Sequence, residues 1–179
     1  MLTDPLPKTL DVRKAAARGV SVSGTVRVLD LPRFLPLLAA DDALVQADFT
    51  FTRDEENRYL VQISTTGDVQ VSCQRCLDPM PLRVASETQL AVVWSDEQAA
   101  HLPRHLDPLI VSEEACNLWE LVEDELILAM PAFSYHEAAG CKQQTMEFSD
   151  PDAPEPAGED KPNPFNVLEQ LKPGNKHQE

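Results

Sequence analysis

The sequence predicts an α+β domain: a largely antiparallel β-sheet of about five to six strands with a few short helices, followed by an acidic flexible linker and a short C-terminal helix. Three observations predict it. Apolar residues alternate with polar ones in segment after segment between residues 20 and 94. The links between those segments are short, and parallel neighbours would need a long crossover. From residue 143 onward, acids and prolines replace the apolar residues.

The elements follow in chain order. Val20, Val22, Gly24, Val26 and Val28 have strand periodicity, and Leu31–Ala39 reads as a short helix. Val45, Ala47, Phe49 and Phe51 give a second strand, and the polar run Arg53-Asp-Glu-Glu-Asn-Arg58 is the loop of a hairpin. Tyr59, Val61, Ile63 and Thr65 form a third strand, with Thr65-Thr66-Gly67-Asp68 as its turn into a fourth, Val69, Val71 and Cys73. Leu82, Val84, Thr88, Leu90, Val92 and Trp94 give a long fifth strand. Ser95 and Gln98 make a capping box for a helix that Pro103 stops. Asn117 starts another, in which Leu118, Leu121, Val122, Leu126 and Ala129 share one face until Pro131 ends it. Glu120, Glu123 and Asp124 read as its solvated face, and Trp94 and Trp119 as core aromatics.

The chain has 179 residues and a net charge of −15, from 15 basic and 30 acidic side chains. Residues 1–142 read as one domain with 12 bases and 22 acids. Residues 143–162 read as a linker, since six acids, several prolines and little to bury cannot offset the entropy of ordering. Residues 163–179 hold the short C-terminal helix and tail. In that segment Asn163 and Pro164 can start a helix in which Phe165, Leu168 and Leu171 share one face. So short an apolar helix is unstable alone and must dock on its own domain or on a partner.

This composition excludes a domain that grips nucleic acid by net positive charge. No apolar run approaches the ~20 residues of a membrane span. The first residues have no secretory signal pattern, which predicts a cytoplasmic protein with reduced thiols. The six glycines never cluster into a phosphate-cradling loop, and there is no His-Glu-x-x-His or Gly-x-Ser-x-Gly. Nothing in the sequence supports an enzyme or a small-molecule substrate.

The four cysteines are too sparse for a disulfide scaffold. Cys73-Gln-Arg-Cys76 stands where a strand enters a turn, and two thiolates at that spacing can face one ion, as in a zinc knuckle. His136 and Cys141 have the spacing of a second ligand pair. Together they would make a closed tetrahedral Cys3His site for one structural zinc ion. Two other readings stay open: turn and core cysteines beside a loose loop, or a redox dithiol. Against the dithiol, a reactive cysteine usually opens a helix, whose dipole lowers its pKa. Arg75 between the thiols is either a solvated loop arginine or a contact to phosphate or carboxylate. Cys116 has no partner at ligand spacing.

The ordered set Cys73-Gln-Arg-Cys76, Trp94-Ser-Asp-Glu-Gln-Ala, Leu121-Val-Glu-Asp-Glu-Leu-Ile-Leu-Ala-Met-Pro131, His136 to Cys141 and Lys161-Pro-Asn-Pro-Phe165 resembles the YceD family, the large ribosomal RNA subunit accumulation proteins. The similarity spans about Leu6 to Leu171. It implies a cytosolic, non-enzymatic factor in the synthesis, processing or stability of large-subunit (23S) ribosomal RNA. Some members of that family carry further cysteines after the proline-ended helix, arranged as in a zinc ribbon. Here only His136 and Cys141 stand in that region. The resemblance brings no catalytic residues with it.

The implied role and the charge pull apart, because a polyanionic RNA repels a chain of −15. An acidic adaptor reconciles them: it would attract a basic ribosomal protein or rRNA-processing factor and touch the RNA indirectly, with Arg75, Asn163, Pro164, Phe165 and Leu168 as candidate partner contacts. The alternatives are a zinc-knuckle module that binds RNA directly and a Cys-x-x-Cys thiol oxidoreductase.

Overall fold

The computed structural model describes residues 4–111, 115–137 and 141. The described residues all fall in the first of two compact units, Met1–Gln144. The acidic block after residue 142 and the segment carrying Asn163, Pro164, Phe165 and Leu168 lie outside them.

Within that range the order is β1 (Thr9–Leu10), α1 (Val12–Arg18), β2 (Ser21–Arg27), two 3-10 turns (Val28–Asp30 and Leu35–Leu37), β3 (Leu44–Arg53), β4 (Tyr59–Ser72), β5 (Pro79–Val93), α2 (Asp96–Ala100), β6 (Asp107–Ile110), β7 (Cys116–Asn117) and α3 (Leu118–Ala129). The fold is α+β. Its main sheet has five strands in the order β2-β3-β4-β5-β6, and β1 pairs with β7 in a separate two-stranded sheet. All neighbours are antiparallel except β5 and β6. That parallel pair departs from the sequence expectation because α2 and its flanking loop supply the crossover that the shorter links lack. No helix among the described residues is long and apolar enough to cross a membrane.

The apolar alternation sets the core. Val45, Ala47, Phe49 and Phe51 of β3 and Val61, Ile63, Val69 and Val71 of β4 point to one face and are buried. Ala15 and Ala16 of α1 and Leu118, Leu121, Val122 and Leu126 of α3 join them in one cluster. The opposite face is polar and open, with Asp48, Gln62, Ser64, Asp68, Gln70, Arg83, Glu87 and Gln89 exposed. At one end of that face Leu60 and Ala91 are covered by Leu102 and Leu106.

Several expectations from the sequence need correcting. Thr65–Asp68 is not a turn: β4 runs unbroken through it, with Gly67 paired to Val45 and Val84. A Cβ at Gly67 would lie 3.1 Å from a Val45 methyl, so the glycine serves close strand packing. Leu31–Ala39 is not an α-helix. Pro32 and Pro36 remove N–H donors there, and only short 3-10 turns form around the buried Leu31 and Phe34. Helix α1 escaped the sequence reading, although its ends are marked. Asp11 accepts from the Lys14 N–H, and Gly19 sits in the left-handed region at φ 63° with its N–H on the Ala15 and Ala16 carbonyls. Trp94 is 40% exposed rather than in the core, and Trp119 is half-buried with its indole N–H on the Leu6 carbonyl at 3.0 Å.

The acidic face of α3 is also not wholly solvated. The Glu123 side chain is only 3% exposed. One carboxylate oxygen accepts from the backbone N–H groups of Arg33 and Phe34, and the other from Arg33 Nε at 2.8 Å. Glu123 thus satisfies donors that the proline-broken 31–37 segment leaves without a regular partner. Glu125 is buried too and accepts from Ser86 Oγ at 2.6 Å.

Glu123→Ala should therefore destabilise the protein by about 2–4 kcal/mol, because a buried N–H, a part-buried N–H and a guanidinium lose their acceptor. Asp124→Ala, which removes a half-exposed carboxylate from the same arginine, should cost several-fold less. Urea denaturation midpoints of the two variants test this, and equal losses would remove the structural role from Glu123.

Candidate metal centre

The longest hairpin of the sheet positions half of the centre. Pairing of β4 with β5 ends at Ser72 and Pro79, and the loop between them contains Cys73-Gln-Arg-Cys76. The Cys73 N–H bonds the Asp78 carbonyl at 3.0 Å, and the Leu77 N–H bonds the Cys73 carbonyl at 2.8 Å. Leu77 closes the turn in the left-handed region at φ 64°, which branched and bulky residues seldom occupy. This tight turn buries both Cys73 and Cys76.

The other half comes from the chain after α3. Pro131 ends that helix, and the following segment returns along the hairpin tip. The Gln74 N–H donates to the Ser134 carbonyl at 2.9 Å, and the His136 N–H points at Cys73 Sγ at 3.5 Å. His136 Nδ1 lies 3.3 Å from Cys76 Sγ, and Cys141 Sγ lies 3.9 Å from Cys73 Sγ. The donor atoms of Cys73, Cys76, His136 and Cys141 all fall within 4.8 Å of one another. The structure thus brings together the two pairs that the sequence left far apart.

The donor set fits a metal ion. A tetrahedral centre with metal–sulfur bonds of about 2.3 Å requires sulfur–sulfur edges of ~3.8 Å, close to the distance seen between Cys73 and Cys141. The thiols also carry opposed electrostatic pressures. At Cys73 burial favours the neutral form, but the N–H groups of Cys76, His136 and Arg75 and the His136 side chain outweigh it and bring the thiol down to about 5. At Cys141 burial and the adjacent sulfurs of Cys76 and Cys73 push the thiol up to about 11. A cation among the four would relieve this repulsion and let every sulfur ligate as thiolate. All four cysteines are free, and the fourth, Cys116, stands apart, its thiol raised by burial and by Glu120.

Arg75 is exposed on the hairpin tip, its guanidinium 5.3 Å from the Tyr135 ring centroid. Tyr135 stacks in turn on Phe133 at 6.4 Å, and Phe133 is 69% exposed. The sequence reading missed these two rings. Their signal was the Phe-Ser-Tyr alternation after Pro131, which puts both on one side of an extended segment.

Sheet, hairpin tip and donors together define a small α+β domain with a Cys3His knuckle able to hold a metal ion. Its relatives narrow the class. Residues 61–172, which include all four donors, match the family described as large ribosomal RNA subunit accumulation protein YceD. Over 168 residues the chain is 31% identical to the large ribosomal RNA subunit accumulation protein YceD of Haemophilus influenzae, covering 93% of this chain and 96% of the relative. The chain belongs to the YceD family. No solved structure matches it.

Metal-free protein should take up one equivalent of Co2+, with thiolate-to-metal absorption in the near ultraviolet and visible bands of tetrahedral cobalt. Cys73→Ser should abolish or shift these bands, and Cys116→Ser should leave them unchanged. Identical spectra from both variants would show that these four residues do not form the centre.

Proposed function

We propose that this chain is a cytoplasmic, non-enzymatic ribosome-biogenesis factor that supports accumulation of large-subunit (23S) ribosomal RNA, and that it acts mainly through a basic protein partner. The Cys3His set holds one structural zinc ion in this reading. Four protein donors fill a tetrahedral shell and leave no open position for substrate or activated water, so the ion stabilises rather than catalyses. The zinc fixes the hairpin tip against the segment that carries Phe133 and Tyr135.

The observation that carries the proposal is the conjunction of YceD membership with a net charge of −15. RNA repels such a chain, whereas a cationic ribosomal protein or processing factor is drawn to it at long range. A second reading, direct RNA contact through the knuckle, is favoured by one observation: Arg75 is exposed and stacked on Tyr135, a geometry that suits phosphate and base together. The thiol-oxidoreductase reading fits less well, because Cys73 follows a strand and its sulfur is shared with three other donors.

Affinity purification of the tagged full chain from growing cells, with and without nuclease, tests the partner. Retention of the same basic ribosomal proteins or processing factors after nuclease treatment is the expected result. Recovery of ribosomal RNA alone, lost on nuclease treatment, would transfer the proposal to the direct reading. In the purified protein, chelation or Cys73→Ser should lower the melting temperature well beyond the effect of Cys116→Ser, with one zinc per chain by elemental analysis before chelation.

A further inference from the structure

Away from the metal centre, three segments converge on an open groove of about 450 Å³ lined by the β3–β4 hairpin, the end of β5 and α2. This is within the size range of small-ligand sites, about 300–1,000 Å³. Its apolar floor is Ala91, Val92, Val93 and Leu102, and two aromatic rings stand in its wall. Tyr59 and Trp94 meet edge to face with centroids 5.6 Å apart, and the indole is the more exposed of the two.

Two guanidiniums lie against these rings. The Arg13 guanidinium lies 5.7 Å from the Trp94 ring centroid, and that of Arg53 lies 4.7 Å from the Tyr59 centroid. Both arginines are exposed, and neither is in an ion pair among the described residues, although Arg53 donates one N–H to the Tyr59 hydroxyl at 2.9 Å and offers a phosphate its remaining donors. Arg58, also in the wall, is neutralised by Asp54 and Glu56. Glu97 is the one carboxylate among the lining residues. Polar groups complete the rim. Asn57 sits in the left-handed region at φ 63°, and no hydrogen bond of its side-chain amide is seen among the described residues. His101 spends Nδ1 on the Glu97 carbonyl at 2.6 Å and keeps Nε2 for another partner.

We propose that this groove is a site for an unpaired nucleobase of single-stranded RNA, stacked on Trp94 beside Tyr59, with its phosphate near Arg13 and Arg53 and its edge read by the Asn57 amide. Arg13 and Arg53 do not line the groove but flank it against its two aromatic rings, and there they bear on the class of ligand. They oppose a lysine or arginine side chain of a basic protein and favour an anionic ligand. A flat apolar floor with an exposed indole favours a planar ring over an aliphatic one. A base held in this way owes its affinity to stacking, about 1–3 kcal/mol per base, so the net negative charge of the protein does not forbid it. The inference goes beyond the proposed function: a basic partner would bring the RNA close, and the groove would hold one unpaired base of it.

The chain has two tryptophans, which makes indole fluorescence a direct readout. The full-length, metal-loaded protein is titrated at low salt with octaadenylate RNA, with adenosine monophosphate, and with inorganic polyphosphate of similar charge. Octaadenylate should quench the emission saturably, and Trp94→Phe should lose that quench while Trp119→Phe keeps it. Trp94 is partly exposed, so its replacement spares the core, and an unchanged melting curve verifies this. Asn57→Ala should weaken binding about tenfold. Arg13→Gln combined with Arg53→Gln should weaken it and flatten its salt dependence. Quenching by the monophosphate alone would assign the groove to free nucleotides and overturn the RNA source. A quench that survives Trp94→Phe, or polyphosphate competing as well as RNA, would overturn the site itself. These outcomes do not depend on whether a protein partner is recovered from cells.

Discussion

The convergence of four donor atoms on the β4–β5 hairpin tip is the constraint on which the far end of this molecule depends. His136 and Cys76 are 60 residues apart in sequence, and the segment between Pro131 and Glu137 buries little: Phe133 and Tyr135 are exposed, and only Ser134 is buried. Apolar burial therefore cannot hold that segment. What holds it is the Gln74–Ser134 backbone bond and the group of three sulfurs and one imidazole. A metal ion among these donors would supply the free energy that apolar surface does not, as in small metal-stabilised domains. The stacked Arg75, Tyr135 and Phe133 depend on it in turn, since two of the three belong to the segment so fixed.

A second constraint acts midway along α3. The 31–37 segment carries prolines that bar a regular helix, yet it must bury Leu31 and Phe34. Buried backbone donors need acceptors, and Glu123 provides one from a helix nearly 90 residues away. The acid-rich helix is thus partly an internal hydrogen-bonding device. Its neighbours Glu120 and Asp124 remain at the surface, so one short motif contains carboxylates of two kinds.

Period-two alternation made most of the sheet legible. β2, β3, β4 and β5 follow Val26, Phe49, Val61 and Val84 as read from the sequence, and the 53–58 loop is the hairpin expected of it. What failed was punctuation. Gly67 looked like a turn because glycine commonly marks one, but here it makes room for the Val45 side chain of β3. Between Leu31 and Ala39 the leucines have helical spacing, but the backbone obeys Pro32 and Pro36. The ends of α1 were written in Asp11 and Gly19, but a seven-residue helix has too few apolar positions for its period to stand out. At the site, the spacing of each ligand pair was visible, whereas their meeting was a tertiary fact that no local pattern encodes. The Tyr59–Trp94 groove was invisible for the same reason, since its walls come from the β3–β4 hairpin, the end of β5 and α2, and the arginines against its rings from α1 and the end of β3.

Charge is the last link between this architecture and a ribosomal RNA role. A net of −15 acts over the Debye length, ~8 Å in physiological salt, and sets which molecules approach. Contacts inside that distance obey local chemistry. The open face of the sheet presents hydroxyls and amides together with Asp48, Asp68, Glu87 and Arg83, a surplus of acid that disfavours an RNA backbone. At the β3–β4 hairpin and at the knuckle, exposed guanidiniums lie against aromatic rings, and among the described residues no ion pair cancels them. A protein built in this way avoids binding duplex RNA by bulk electrostatics. In the function and site proposed above, it answers instead to a cationic partner at long range and to an unpaired, stackable base at contact. Under that proposal the two conditions would coincide where a basic protein lies beside an unpaired RNA segment.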